Sequence, residues 1–322
     1  MQVRHDAGPL IESIDSFPVV RVLQTIQEKM SELKWPPVLG RSWSLLGAHT
    51  GTVRVLSLNL LADSKQQEEE WSETPDDVLE WSKRRWRLLE ILLRDNPDII
   101  CLQELDIRSS ETCLDPELLA AGYQGVFTKP KEPAQDGSAV YFRRDRFSLL
   151  DTTDLGFAIW AVLKHGQSGN LLTAVSAHLK SGKTEAAEKE RRDQVLSLLE
   201  HLSETCQNSP YFIGCDLNAV SVPDGKIGEP LAYAAAVGRG LQSSYAHGAG
   251  EPEYTTWKLR PRGEVKRTID YVFHSQDLRP AALLEVPGAS EVPKMRFPTY
   301  SYPSDHVALG VDFAWRDIQH EK

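Results

Sequence analysis

Apolar residues recur along this chain in two rhythms, and the rhythm changes near residue 51. Before that point, "VVRVLQTIQEKMSELK" places Val19, Val22, Leu23, Ile26, Met30 and Leu33 at helical spacing, and "WPPVLG" follows as a stop. The pattern predicts one amphipathic helix, expected to dock on the main body rather than to serve as a partner-binding arm. Beyond residue 51, strand-like and helix-like runs alternate. "VRVLSLNL" (53–60) reads as a strand, 75–96 as one long helix with an acidic start and a basic later half, and "DIICLQ" (98–103) as a short buried strand. Four runs at 138–144, 147–153, 158–164 and 170–179 read as consecutive strands of an antiparallel sheet with tight turns between them. A long helix over 184–206, a buried strand at 211–218 and strands near 269–274, 281–286 and 307–314 complete the pattern. Many strands with few long helices predict an α/β fold in which two sheets pack together and helices lie outside. Residues 1–50 are expected to form an N-terminal extension and 51–322 a single catalytic domain, because no linker divides the chain after residue 51.

Composition narrows the partners. The chain has 322 residues, with 36 Lys and Arg against 46 Asp and Glu, a net charge of −10. That balance opposes a broad electrostatic grip on nucleic acid, which rests on cations neutralising phosphates. It is compatible with a local basic pocket, or with divalent cations neutralising a phosphate site. The four cysteines stand at 101, 113, 206 and 215 with no Cys-x-x-Cys pair, so metal fingers and thioredoxin chemistry are not expected. No apolar run reaches the length of a membrane span. Asp6, Glu12 and Asp15 fit an acid-free transit peptide poorly. The expectation is an intracellular, cytoplasmic protein with reduced thiols, or a mitochondrial one if a transit peptide has been trimmed.

Candidate chemistry lies at strand ends. Asn59 closes "VLSLN", Gln103 and Glu104 close "IICLQE", His178 follows "LTAVSA", and Asp216 and Asn218 close "FIGCDLN". Asp270 opens "DYVF", and Ser304, Asp305 and His306 precede "VALGV". Each alone is an ordinary turn or core polar residue. Together they are the residue types of a metal-assisted phosphate site. Glu104 and Asn59 suit a hard cation with oxygen ligands. Asp216 suits orientation of a water, a protonated His306 suits stabilisation of the phosphorane, and Asn218 and His178 suit donation to phosphate oxygens. Asp216 and Asn218, one residue apart, are expected to share a face of an extended strand.

From about residue 52 to 315 these motifs resemble the exonuclease–endonuclease–phosphatase superfamily. The resemblance rests on "LSLNLLA", "PDIICLQELD", "AHLKSG", "GCDLNA", "TIDYVF" and "YPSDHVAL" in the family's order. "WSKRRWRLLEIL", "GYQGVFTKP" and "YTTWK" are similar to its nocturnin-like, deadenylase-related branch. The resemblance implies a four-layer αββα sandwich of two mostly antiparallel sheets, and dependence on Mg²⁺, with Mn²⁺ as a substitute. It implies Asn59, Glu104 and Asp305 on the metal side, Asp216 activating water, Asp270 paired with His306, and Asn218 and His178 on the phosphate. Lys129 and Arg191 match basic substrate-binding positions of the branch. Trp257 is expected in the core rather than stacked on a base. No leucine-rich repeat is present in the first fifty residues, so assembly through such a domain is not expected, and a monomer is.

Two substrates follow from the resemblance: the 2′-phosphate of NADP(H), which the acidic chain favours, and the 3′ end of poly(A) RNA. A catalytically inactive nucleotide- or partner-binding module is the reading from another class. The presence of Glu104, Asp216, Asp270 and His306 together argues against it.

Overall fold

The computed structural model describes residues 18–47, 49, 51–68, 70–106, 114–129, 136–206, 209–223 and 229–316. The acidic N-terminal residues weighed against a transit peptide, Cys113 and the loop that follows Lys129 lie outside them. Among the described residues, no helix is long and apolar enough to cross a membrane.

Two sheets dominate. The first runs in the order β1 (Trp43–Leu45), β14 (Leu278–Leu284), β15 (Leu309–Trp315), β2 (Val53–Asn59), β3 (Ile99–Asp106), β5 (Asp136–Arg143) and β4 (Tyr123–Phe127). The second runs β10 (Gln242–Ser243), β13 (Asp270–His274), β9 (Tyr211–Asp216), β8 (Leu171–His178), β7 (Ala158–His165) and β6 (Phe147–Asp154). A separate hairpin joins β11 (Thr256–Arg260) to β12 (Gly263–Arg267). Each large sheet is antiparallel except for one pair at its centre, β2 with β3 and β8 with β9.

Those parallel pairs explain the helices. A parallel connection must cross over the sheet, and a helix covers the crossing. Between β2 and β3 run the short α2 (Asp63–Glu68) and α3 (Asp76–Leu79) and the longer α4 (Trp81–Leu93). Between β8 and β9 runs α6 (Glu185–Cys206), with α5 (Asp115–Ala120) earlier in the chain and α7 (Leu231–Gly238) later. Strands covered on both faces carry near-continuous apolar runs, and alternate side chains enter different cores. Val53 and Val55 face the second sheet, while Leu56 and Leu58 face α4 and the N-terminal helix α1 (Pro18–Leu33). Val175 and Ala177 pack outward under α6 with Val195, Leu198 and Leu202. The result is the expected αββα sandwich, and α1 buries Val22, Ile26 and Met30 on its outer core.

Two expectations about elements need correction. The four strands read as one antiparallel run are divided: β5 belongs to the first sheet, and the chain turns at Arg144–Arg146 into the β6–β7–β8 meander of the second. Turn chemistry joins neighbouring strands but does not say which sheet receives the next one. The helix expected over 75–96 is broken at Glu80, whose ψ of 115° is extended.

Candidate active site

In a parallel pair both carboxyl ends reach the same edge of the sheet, so each sheet delivers two strand ends to one rim. Asn59 ends β2 and sits across from Gln103 of β3. In the second sheet Asp216 ends β9, with His178 of β8 across from it on one side and Asp270 of β13 on the other. Alternation sets their direction: Ala177, Cys215 and Tyr271 point into the outer core, so His178, Asp216 and Asp270 point toward the first sheet. Leu58 likewise points outward and Asn59 inward. The two halves meet where Asn59 Nδ2 donates to Asp216 Oδ2 at 2.9 Å. Asn59 Oδ1 accepts from the Leu61 N–H at 3.0 Å.

Glu104 reaches the rim by a different device. Strict alternation would turn it outward with Leu102. The pairing of β3 with β5 slips between Leu102 and Leu105, where β3 carries one extra residue, and Glu104 has φ of +51°. A bulge with a left-handed, non-glycine residue is strained backbone held by its surroundings, and it re-aims a side chain. Glu104 Oε1 lies 3.8 Å from His178 Nε2 and 3.2 Å from Lys65 Nζ, and Oε2 accepts from the Ala62 N–H at 3.3 Å. Burial opposes its ionisation, but Lys65 and His178 outweigh it and bring the carboxyl down to about 2.

His306 precedes β15 and bridges to Thr256 of the hairpin. Its Nδ1 donates to Asp270 Oδ1 and Oδ2 at 3.0 and 2.9 Å, and both side chains are buried. Burial disfavours the imidazolium, yet Asp270, Asp305 and Asp216 together raise His306 to about 10. Asp270 is raised as well, because burial and Asp216 outweigh the attraction of His306. The pair therefore carries its proton on His306, with Nε2–H as the ring's remaining donor. Thr255, buried, donates its hydroxyl to Asp270 Oδ2 at 2.5 Å and accepts the Ile269 and Asp270 N–H groups. Ser304 donates to the Asn59 carbonyl at 2.7 Å and accepts from the His306 N–H at 3.1 Å, tying the loop before β15 to the end of β2.

The expected residues divide accordingly. Asn59, Glu104, His178, Asp216, Asp270 and His306 converge. Asp305 is buried beside them, bonded through Oδ2 to the Lys258 ammonium, with Arg260 3.8 Å away. Asn218 does not share a strand face with Asp216. The strand ends at Asp216, and Asn218 turns back at φ of +53°, its N–H on Asp216 Oδ1 and its Nδ2 on the Leu179 carbonyl. Lys129 is exposed at the end of β4, where its N–H donates to Asp154. Arg191 corrects the expectation outright. It is 0% exposed, and its guanidinium is spent on Glu188 and on the Lys180 and Gly182 carbonyls. It braces the loop after His178, with four of its five N–H donors engaged in these bonds. Trp257 is buried as expected, with Lys266 and Arg296 over its ring.

Sequence reasoning missed Lys65, Asp136, Thr255, Lys258 and Arg260. Lys258 and Arg260 stand two residues apart on β11, so alternation places them on one face, a signal hidden because a hairpin was not read there. Lys65 and Asp136 sit in polar stretches that carry no periodic pattern.

The donors fit a hard divalent cation. Ligand atoms of Glu104, His178 and Asp216 lie within 4.8 Å of one another; the similar cluster of Asp216, Asp270 and His306 is closed to a cation by the proton on His306. Asp305 Oδ1 is buried and accepts no hydrogen bond, an expensive arrangement that a cation would satisfy. Oxygen donors predominate, as Mg²⁺ and Mn²⁺ prefer.

Residues 56–306 match the Endonuclease/Exonuclease/phosphatase family. Nocturnin of Mus musculus is 31% identical over 296 residues, covering 84% of this chain and 67% of that protein. The solved catalytic domain of human nocturnin with bound sulfate superposes with a TM-score of 0.68 at 29% identity, over 87% of this chain and 98% of that one. The Ccr4 3′-5′-exoribonuclease subunit of the CCR4-Not complex of Aspergillus oryzae is 31% identical over 161 residues, 46% of this chain and 21% of that protein. This chain thus spans about two thirds of the length of the mouse relative. It belongs to the endonuclease/exonuclease/phosphatase family of phosphoester hydrolases, as a nocturnin-like member.

Proposed function

We propose that this chain is a divalent-cation-dependent phosphatase that removes the 2′-phosphate of NADP(H). The observation that carries the choice of substrate is the distribution of positive charge at the rim. Lys65, Lys258, Arg260 and the His306 imidazolium are gathered on one cluster of carboxylates. That arrangement serves one or two phosphate groups. A bound RNA strand needs cations and aromatic platforms spread over several nucleotides. Trp257, the candidate platform, is 5% exposed. A net charge of −10 points the same way.

Glu104 and Asp305, with Asn59 at the rim, would hold the cation, which neutralises phosphate oxygens and templates the reacting groups when bound. Asp216, fixed by Asn59 Nδ2 and the Asn218 N–H, is placed to orient the attacking water. The His306 imidazolium supplies a charged donor for the phosphorane, and Asp270 and Thr255 hold the ring. His178 and the second Nδ2 hydrogen of Asn218 supply further donors.

A second reading, trimming of RNA from its 3′ end, is favoured by the similarity to the Aspergillus exoribonuclease subunit. The deciding experiment incubates the protein with Mg²⁺ and NADPH, or with a 3′-poly(A) RNA, and follows free phosphate and RNA length. Phosphate release from NADPH that disappears in Glu104→Ala is the expected result. Shortened RNA without phosphate release replaces it with the second reading. Nucleotide binding without turnover of either leaves only the binding module.

A further inference from the structure

Lys65 belongs to none of the motifs that identify the family, yet its ammonium occupies the carboxylate cluster. It lies 3.2 Å from Glu104 Oε1 and 2.7 Å from Asp136 Oδ2. It stands on α2, the six-residue helix immediately after the loop that follows Asn59. We propose that Lys65 is the resident counter-ion of the cation site: it neutralises Glu104 while the site is metal-free, and an arriving divalent cation must displace it onto Asp136. This inference rests on the cation-dependent reading given above.

The argument is one of crowding. Glu104 Oε1 is the oxygen that faces His178, its neighbour in the Glu104, His178 and Asp216 ligand group, and Oε1 is where Lys65 sits. An ammonium and a divalent ion cannot share one carboxylate oxygen at bonding distance without strong mutual repulsion in a partly buried setting. Asp136 supplies the alternative seat. Its Oδ2 is already the closer partner of Lys65, so a small rotation of the side chain breaks the Glu104 contact and keeps the Asp136 one. The groups around the ammonium are Glu104, Asp136 and His178, the last 3.8 Å from Glu104 and 4.0 Å from Asp136. Two carboxylates within ion-pair distance hold the ammonium in place. Lys258 plays no such part, because it leaves Asp305 Oδ1 open while bonding Oδ2.

The test measures metal uptake rather than turnover. Wild type, Lys65→Met, Lys65→Gln and Lys164→Met are titrated with Mn²⁺ while the free ion is followed by electron paramagnetic resonance. Lys164 is exposed on β7 and controls for the loss of one positive charge. Both Lys65 variants should bind Mn²⁺ more tightly, on the order of tenfold, with Lys164→Met unchanged. Metal-free Lys65→Met should also melt below wild type and gain more from Mn²⁺ than wild type does. Equal affinity in all four proteins overturns the proposal, and so does equal tightening by Lys164→Met. Weaker binding overturns it too, by making Lys65 a prop for Glu104. Wild type that takes up no Mn²⁺ at a site lost in Glu104→Gln overturns the cation-dependent reading along with it. Tight wild-type binding unaltered by the Lys65 changes overturns this inference alone.

Discussion

At the scale of single residues, the most consequential feature is the proton held between His306 and Asp270. An ordinary histidine is mostly neutral at pH 7. Here three carboxylates overcome burial and hold the imidazolium up to about 10. The sign of the effect follows. A reaction that needs this imidazolium keeps its rate below the folded-state pKa and loses it as pH rises through that value. Asp270→Asn withdraws the nearest carboxylate and lowers the His306 pKa. The alkaline limb of kcat should therefore move to lower pH by about a unit or more, and loss of the carboxylate that orients the ring should separately reduce kcat at neutral pH, on the order of 10²-fold. Thr255→Val, which removes a hydrogen bond to Asp270 without removing charge, should change kcat with a smaller displacement of the limb. A pH–rate profile of each variant at saturating cation checks both, and an unmoved limb in Asp270→Asn would exclude the imidazolium as the essential acid.

At the scale of elements, α6 shows how a helix serves a site it does not enter. Arg191 and Glu188 stand three apart on its buried side and bond each other there. Arg191 also holds the Lys180 and Gly182 carbonyls, and Glu188 Oε1 accepts the Ala232 N–H that opens α7. The helix thereby pins the chain just beyond His178. Removing one member of a buried ion pair strands the other. Arg191→Ala should cost about 3–5 kcal/mol, measured as a lowered midpoint of urea unfolding. Combining Arg191→Met with Glu188→Gln should recover part of that loss, which a residue acting on substrate alone would not show. The same pair marks the limit of legibility. Arg191 was readable as a helix residue with a basic side chain, and family likeness placed it near substrate. Whether it faces the cleft or the sheet depends on how α6 rolls against β8 and β9, and a charged residue in a charged stretch leaves no apolar stripe to reveal it. By contrast Asn59, Glu104, His178, Asp216, Asp270 and His306 were legible because each follows or precedes an apolar strand run, where a polar side chain stands out. Even there the bulge at Glu104 was hidden, since its extra residue is visible only against the register of β5.

For the whole molecule, the decisive quantity is the distance between the two sheets, because each contributes half of the cluster. That spacing is set close to the rim by Gly214 of β9. A Cβ there would lie 2.8 Å from Ser57 Cβ and 2.9 Å from Cys101 Cβ, both on the opposite sheet. Gln103 fastens the same point, donating from Nε2 to the Gly214 carbonyl at 3.1 Å and to Ser176 Oγ at 3.0 Å. Sheets in contact at this distance cannot accept a methyl group without moving apart, since the facing atoms are short, rigid side-chain stems rather than flexible ends. Gly214→Ala should destabilise by about 1–3 kcal/mol. It should also lower kcat well beyond what the stability loss explains, because a displacement of about 1 Å between reacting groups can cost on the order of 10²-fold. Gly238→Ala provides the contrast. Gly238 closes α7 with nothing within 4 Å of its would-be Cβ, so that change should leave both unfolding midpoint and kcat near wild type. Urea unfolding and steady-state rates of the two alanine variants measured side by side decide the matter. If Gly214→Ala lost stability but kept full kcat, the sheet spacing would be a property of the core and not of the site.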